Sequence, residues 1–199
     1  MKILMATMGL DIGGAETHIV ELAKELRHQG HDVAVVSNGG VYVPEITAAG
    51  IRHYAAPMHR RSLRDMRRAR TILRDVIARE RPDVVHAHAR IPAFLCGCLQ
   101  KQLHFPFVTT AHWVFDARGA LRYLTNWGQR TIAVSEDIKA YLIREYAKRE
   151  QTKITNQEKQ NDMASLTKAI NKDLFDSILP TFGNQRVHID VYKRQPSAL

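Results

Sequence analysis

The residues best suited to chemistry in this 199-residue chain stand in four groups, each directly after a short apolar run. They combine imidazole, carboxylate and hydroxyl side chains, which can exchange protons or bind hydroxyl groups, with glycines that let a ligand approach the backbone closely. The groups are Gly13, Gly14, Glu16, Thr17 and His18; His86 and His88; His112 and Trp113; and Ser135 and Glu136. One such group alone is weak evidence, so the fold must decide whether they meet.

The first group lies in a loop between an apolar run and an apolar-periodic segment. Lys2–Ala6 is typical of a buried strand, and Ala15–Arg27 has the periodicity of an amphipathic helix. A helix N-terminus carries a partial positive charge, from which a nearby anion gains about 0.3–1 kcal/mol. Gly13 and Gly14 therefore form a candidate phosphate-binding turn, with a turn that only requires positive φ as the alternative. Glu16 could border a ligand or simply favour the helix N-terminus electrostatically.

The alternation of short strands and helices over residues 1–146 predicts an α/β fold, a Rossmann-like parallel sheet with helices on both faces. The predicted strands are Lys2–Ala6, His31–Ser37, Ile51–Ala55, Asp83–His88, Phe107–Ala111 and Thr131–Val134. The predicted helices are Ala15–Arg27, Pro44–Ala49, Ser62–Glu80, Ile91–Leu103 and Ser135–Tyr146, and the segment Ala120–Gln129 is predicted to contain a further helix. Ligands of such sheets bind beyond the carboxyl ends of the strands, so we expect the four groups to share one edge.

The net charge of +9 concentrates in one predicted amphipathic helix. Its apolar positions recur at helical spacing and its outer face is rich in arginine, which is typical of a solvated helix face. Adhesion to an anionic membrane surface is an alternative, through Arg60, Arg61, Arg64, Arg67 and Arg68. Nucleic acid binding is less favoured, because no aromatic residues interleave with these arginines and no nucleic-acid module accompanies them.

Composition argues against several other classes of protein. The hydrophobic (45%) and charged (25%) fractions are ordinary for a globular protein, and no run of about 18 apolar residues could span a membrane. We recognise no signal peptide, which predicts a cytoplasmic protein. Cys96 and Cys98 fall on different faces of a predicted helix, which favours free thiols over a disulfide. His86 and His88 share one strand face, but no third ligand is evident, so we expect no metal site.

Four segments together resemble one known family. They are GGAETH (residues 13–18), DVVHAH (83–88), TTAHW (109–113) and IAVSE (132–136), and ELAKELRHQGHDVAVVS (21–37) is similar to the first helix and second strand of that family. This order resembles the N-terminal domain of retaining glycosyltransferases with the GT-B fold, in particular glycosyltransferase family 4. The likeness covers about residues 1–146, and the four motifs are specific only in combination.

The resemblance implies a role for each group. Gly13 and Gly14 would lie against the diphosphate of a nucleotide-sugar donor, and His112 would contact the transferred sugar and help to stabilise the charged transition state. Four residues would border or line the acceptor side of the cleft: Glu16, Thr17, His18 and His88. Three more would form its wall: Trp113, Ser135 and Glu136. No Asp-x-Asp motif is present, so the resemblance implies a metal-independent mechanism without a cofactor beyond the nucleotide-sugar substrate.

A complete enzyme of this kind has a second domain that carries the nucleotide-sugar site, and too few residues follow Tyr146 to supply it. Residues 147–199 are rich in Lys, Gln and Asn, and we interpret them as an atypical tail, helical over Met163–Leu179 or disordered. A truncated or chimeric reading frame would explain this tail. We therefore expect the parent protein to transfer a hexose-type sugar to a glycan or lipid-linked hydroxyl with retention. The isolated chain should be nearly inactive, because positioning accounts for much of an enzyme's rate.

Two other classes of function stay open. The chain could be a non-catalytic Rossmann-like or flavodoxin-like nucleotide-binding module, although its first loop lacks G-x-G-x-x-G and no acidic residue ends the second strand. It could also be a basic adaptor on the inner face of a membrane. If the chain is part of a glycosyltransferase, the arginine-rich helix makes an envelope or lipid-linked acceptor a hypothesis. If the chain is an adaptor, the membrane itself would be its partner.

Overall fold

The apolar runs of the sequence form the strands of one parallel sheet. In this computed structural model, which describes residues 1–59, 62–114, 127–150 and 188–191, the sheet has seven strands in the order β3-β2-β1-β4-β5-β6-β7. The strands are β1 (Lys2–Ala6), β2 (Asp32–Ser37), β3 (Arg52–Ala55), β4 (Val84–Ala87), β5 (Phe107–Ala111), β6 (Arg130–Ala133) and β7 (His188–Val191). All neighbouring strands pair in parallel, as the α/β interpretation requires.

Helices cover both faces of the sheet, which confirms the expected fold class. They are α1 (Gly14–His28), α2 (Val43–Ala48), α3 (Leu63–Glu80), α4 (Arg90–Leu103) and α5 (Glu136–Glu150). Helices α1 and α2 pack on the face that carries Ile3, Val35 and Val84, whereas α3 and α4 pack on the face that carries Leu4 and Val85. The strands are apolar on both faces because both faces are covered.

Most helix and strand boundaries lie within a few residues of their predicted positions. Of the segment Ala120–Gln129, in which we predicted a helix, residues 127–129 form an irregular connection, and the others lie outside the described residues, so that helix stays a prediction. Gly128 adopts φ +69° there, and the carbonyl of Trp127 accepts the hydroxyls of Thr109 and Thr131 at 2.5 and 2.6 Å. These bonds tie the connection to the sheet.

One interpretation is wrong, and it concerns the tail. His188–Val191 is not helical or disordered but forms β7, which pairs with β6 and so completes its backbone hydrogen bonds. The predicted helix Met163–Leu179 lies outside the described residues. Helix α5 ends at Glu150, beyond the Tyr146 at which we predicted the boundary.

The arginine-rich segment forms α3 as its periodicity indicates. Ser62 caps the helix, since its hydroxyl oxygen accepts the backbone N–H of Asp65 at 3.1 Å, and Arg81 ends it in the left-handed conformation. Ala69 and Leu73 are fully buried against the sheet, while the arginines of the opposite face stay exposed. The helix is therefore held by its apolar face, and its charges are available to solvent.

Charged side chains close the amino-terminal edge of the sheet. Glu80, at the end of α3, is 5% exposed and accepts two hydrogen bonds from Arg52 at 2.9 and 3.1 Å and one from Tyr54. Lys2 lies 3.5 Å from the same carboxylate. Burial opposes ionisation of Glu80, but the bonds from Arg52 and Tyr54 outweigh it and lower the pKa of this carboxyl. This edge is thus a structural ion network, and the opposite edge carries the candidate site.

Candidate functional site

Pairing of the strands brings the candidate residues to one edge. Ala6 of β1 pairs with Ala87 of β4, and Ala87 pairs with Thr109 of β5, so these three residues form one row across the sheet. Strands β1 and β4 end in this row, and β5 ends two residues further on, at Ala111, so all three end at the carboxyl edge of the sheet. The backbone N–H of His88 still donates to the Ala6 carbonyl at 2.9 Å, which ties the end of β4 to β1.

Four histidines from three elements form a cluster at this edge, on the face covered by α1. Nδ1 of His88 lies 3.2 Å from Nε2 of His112, and the ring centroids of His86 and His88 are 4.0 Å apart. The ring of His18, from the first turns of α1, lies 5.2 Å from that of His112 and 6.4 Å from that of His88. Nε2 of His86 is paired with the Thr110 hydroxyl at 2.7 Å. The sequence placed these residues at one edge, and the structure brings them into contact.

Three of the four rings are polar but uncharged. His86 and His88 are 6% and 4% exposed, and His112 is partly buried. Burial, reinforced by the neighbouring imidazoles, lowers the pKa of His86 to about 3 and that of His112 to about 4, and it holds the pKa of His88 well below its ordinary range. The three rings are therefore neutral at physiological pH, and each offers one N–H donor and one nitrogen acceptor.

The glycine loop after β1 is held by the loop after β2. The backbone N–H of Leu10 donates to the Gly39 carbonyl at 2.8 Å, and that of Tyr42 donates to the Leu10 carbonyl at 3.0 Å. Gly40 has φ +142°, and a Cβ there would overlap the Leu10 carbonyl. The Tyr42 hydroxyl lies 3.3 Å from that of Thr17 on α1. The sequence analysis did not identify Gly40 and Tyr42. The pair of glycines at 39 and 40, just after a predicted strand, could have indicated a tight loop there.

The two glycines of the candidate phosphate turn differ in their surroundings, because the Glu16 carboxylate covers Gly13 and leaves Gly14 open. Gly13 is extended (φ −177°) and precedes α1, so positive φ does not explain this glycine. A Cβ on Gly13 would overlap the Glu16 carboxylate, whereas a Cβ on Gly14 would meet nothing within 4 Å. Thr17 donates its hydroxyl to the Gly13 carbonyl at 2.9 Å. Glu16 thus lies at the N-terminus of α1, where a negative charge is stabilised.

The three expected wall residues occupy different surroundings. Trp113 follows His112 and is 73% exposed, so its ring is available at the edge rather than part of the core. Ser135 accepts the backbone N–H of Ile138 at 3.3 Å, and Glu136 lies 3.5 Å from Lys139. Within the described residues, neither is recorded in contact with the histidine cluster.

The remaining sequence-predicted groups are placed as follows. Arg64, Arg67 and Arg68 are exposed on α3, and Arg60 and Arg61 lie outside the described residues. In the described part of the chain, no set of three His, Cys, Asp or Glu side chains is arranged to hold a metal ion. Likewise, none of the described helices is long and apolar enough to cross a membrane.

Comparison with known proteins decides the family. The sequence model of glycosyltransferase family 4 matches residues 12–155. The chain belongs to this family. A curated relative, N-acetyl-alpha-D-glucosaminyl L-malate synthase of Bacillus anthracis, is 26% identical over 114 residues, which are 51% of this chain and 28% of the relative.

Solved glycosyltransferases share the fold. A glycosyltransferase of Rickettsia africae has a TM-score of 0.62 at 23% identity, over 73% of this chain and 40% of that one. Anabaena Alr3699/HepE, solved in complex with UDP-glucose, has a TM-score of 0.59 at 17% identity, over 72% of this chain and 40% of its own. The fold is therefore that of the N-terminal part of a GT-B glycosyltransferase, and the family 4 chain spans less than half the length of these relatives.

The two adjacent loop glycines should differ in their tolerance of a methyl group. Gly39→Ala adds a side chain in open space at φ +97°, and we expect it to lower the free energy of unfolding by about 1–2 kcal/mol. Gly40→Ala adds overlap with Leu10, and we expect a loss of roughly 2–4 kcal/mol. Urea unfolding of both variants measures the difference. Equal losses of unfolding free energy in the two variants would show that the close contact of Gly40 with Leu10 does not contribute to stability.

The buried histidines should make the family 4 domain sensitive to acid. Their pKa values are depressed in the folded state, so the unfolded chain takes up protons first as the pH falls below about 6.5. Stability is then complete above pH 6.5 and decreases towards pH 5, by up to about 1.4 kcal/mol per pH unit for each such group. His86→Gln should reduce this slope in urea titrations, and His28→Gln, on the exposed surface of α1, should not. A slope unchanged by His86→Gln would contradict this account.

Proposed function

We propose that this chain is the acceptor-side half of a retaining, metal-independent glycosyltransferase that uses a nucleotide-sugar donor. The observation that supports this most directly is the contact, at one sheet edge, of His18, from the first turns of the helix that follows the glycine turn, with the rings of His88 and His112. A diphosphate and a sugar are joined in such a donor, and the glycine turn and the rings are two surfaces that match them in chemistry.

Each of the two surfaces binds a different part of the donor. The backbone N–H groups at Gly13 and Gly14 face the diphosphate, once the Glu16 carboxylate has moved from this position. His112 hydrogen-bonds the transferred sugar next to the reacting carbon, and His18 and Glu16 border the acceptor hydroxyl. Neutral imidazoles suit sugar hydroxyl groups, which are themselves both donors and acceptors. The exposed ring of Trp113 contributes an apolar wall.

The second half of the site is expected to come from another domain. The solved relatives are more than twice as long as the region they share with this chain, and the described residues contain a single sheet. Cell-envelope glycans or lipid-linked sugars are the acceptors we favour, because the exposed arginines of α3 could hold the enzyme near an anionic surface. Retention follows from the family resemblance and not from any distance in this half.

The glycine turn offers a direct test of donor binding by this chain. Gly14→Ala should leave the fold intact or stabilise α1 by up to about 1 kcal/mol, since alanine favours helix and its methyl group meets no neighbour. In calorimetric titration with UDP-glucose as probe, the wild type should bind weakly and Gly14→Ala at least tenfold more weakly. Neither NAD nor FMN should bind. Tight binding of either dinucleotide or flavin would instead support a nucleotide-binding module, and equal UDP-glucose affinities would remove the phosphate role.

Turnover by the isolated chain tests whether one half of the cleft is sufficient for transfer. Incubated with nucleotide sugars and with glycan or lipid acceptors, the chain should release almost no nucleotide, because donor and acceptor cannot be held together by one half of the cleft. Efficient transfer in the absence of another chain would refute this division of labour.

A second candidate function, docking on an anionic membrane, is favoured by the exposed row Arg64, Arg67 and Arg68. Each arginine close to such a surface contributes about 1 kcal/mol. In flotation assays with phosphatidylserine-containing vesicles, replacing all three by glutamine should weaken binding by about a hundredfold. Replacing Arg27 and Arg144, on α1 and α5, should have little effect. Equal binding to neutral vesicles would exclude this function.

A further inference from the structure

The His88 ring is buried in an unusual hydrogen-bonding state. Its Nδ1 atom is paired with Nε2 of His112 at 3.2 Å, but its own Nε2 atom is buried without a hydrogen-bond partner within the described residues. Leaving a buried polar atom unsatisfied destabilises the folded state. A leucine at this position would avoid that cost, so packing alone does not account for a histidine here. The contact with His112 does account for it.

The shared hydrogen bond admits two arrangements of protons. In the first, Nδ1–H of His88 donates to Nε2 of His112, and the unpaired Nε2 of His88 is a bare acceptor. In the second, Nε2–H of His112 donates to Nδ1 of His88, and the unpaired Nε2 of His88 must then carry a proton as a buried donor. Unpaired buried N–H groups are rarer in proteins than under-satisfied acceptors, which favours the first arrangement.

We propose that His88 is a positioning residue that holds His112 in the tautomer protonated on Nδ1. With Nε2 of His112 committed as an acceptor to His88, the nitrogen of His112 that does not face His88 carries the proton. His112 then presents a fixed hydrogen-bond donor, on a ring whose orientation is set by its partner. This is the relation in which a second imidazole decides which nitrogen of a functional histidine is protonated.

The neighbours of the pair support a positioning role. The His88 ring is itself fixed from the other side by His86, at a centroid distance of 4.0 Å, and His86 is anchored to Thr110 at 2.7 Å. The backbone N–H of His88 is bound to β1. A chain of contacts thus runs from the rigid sheet through His88 to the partly exposed His112. No charged group is needed for this arrangement, because both rings are neutral.

The consequence for catalysis rests on the proposed function, whereas the tautomer does not. If His112 contacts the transferred sugar, a proton fixed on Nδ1 makes it a donor to a sugar oxygen in both ground and transition states. A ring free to change tautomer would lose part of that interaction each time the proton moved. The two statements can be tested separately on the same chain.

The tautomer is measured by two-bond nitrogen–proton correlation NMR on the full chain labelled with ¹⁵N-histidine, at pH 7.5. We expect His112, assigned from the spectrum of His112→Gln, to show a protonated Nδ1 and an unprotonated Nε2. A protonated Nε2 on His112 in the wild type would overturn the proposal, whatever the behaviour of any variant.

Variants of the partner separate positioning from mere packing. His88→Leu should release His112, so that the signal of its protonated Nδ1 is lost or averaged with that of the other tautomer. His88→Asn supplies an amide N–H near the same place and should restore the fixed signal. His28→Gln, on the exposed surface of α1, should leave the His112 tautomer unchanged. Restoration by asparagine is a result that a purely structural role would not produce, and its failure in a folded variant would count against the proposal.

Titration with UDP-glucose then distinguishes the positioning role of His88 from the proposed function. A fixed tautomer in a chain that binds no UDP-glucose would support the positioning role and argue against the proposed function. Conversely, UDP-glucose binding that survives unchanged in folded His88→Leu, beside a mixed tautomer in the wild type, would overturn the positioning role and leave the proposed function standing.

Discussion

The parallel hydrogen bonding of β4 between β1 and β5 is the constraint on which the candidate site depends. Because Ala6, Ala87 and Thr109 share a row, β1 and β4 end side by side, and β5 continues to Ala111 before the chain reaches His112. A shift of one residue in either pairing would turn His86 and His88 to the opposite face, towards α3 and α4. The contact between His88 and His112, although 24 residues separate them, is therefore a property of strand register before it is a property of the side chains.

Buried polar side chains are stabilised in different ways at the two edges of the sheet. At the amino edge, Glu80 is buried but ionised, because Arg52, Tyr54 and Lys2 compensate it. At the carboxyl edge, the buried imidazoles have no carboxylate partner within the cluster, and desolvation keeps them neutral instead. The first solution stabilises a closed surface with fixed charges. The second leaves polar atoms without charge next to exposed residues such as Trp113, which is the arrangement expected where hydroxyl-rich ligands enter and leave.

Periodicity and chain order were enough to predict the fold, because strands buried on both faces leave a clear apolar pattern. The same reasoning predicted that the histidines would share an edge. It could not predict which atoms meet: the pairing of His88 with His112 depends on rotamers and on how α1 brings His18 to the sheet. It also missed β7 and the irregular turn at Gly128, where long-range bonds to the sheet override local preference. Tyr42 and Gly40 escaped notice because a loop-to-loop contact has no period.

Under the proposed function, an uncharged and pre-oriented imidazole would suit an enzyme that acts on a sugar beside a diphosphate. A protonated histidine would attract the phosphates and compete with the turn at Gly13 and Gly14 for the same group. A neutral ring that is free to exchange tautomers would offer a donor only part of the time. Burial removes the first problem and the bond to His88 removes the second, at the cost of one unsatisfied nitrogen. Under the proposed function, the turn at Gly13 and Gly14 would recognise the diphosphate of the donor, and the neutral histidine surface would recognise its sugar.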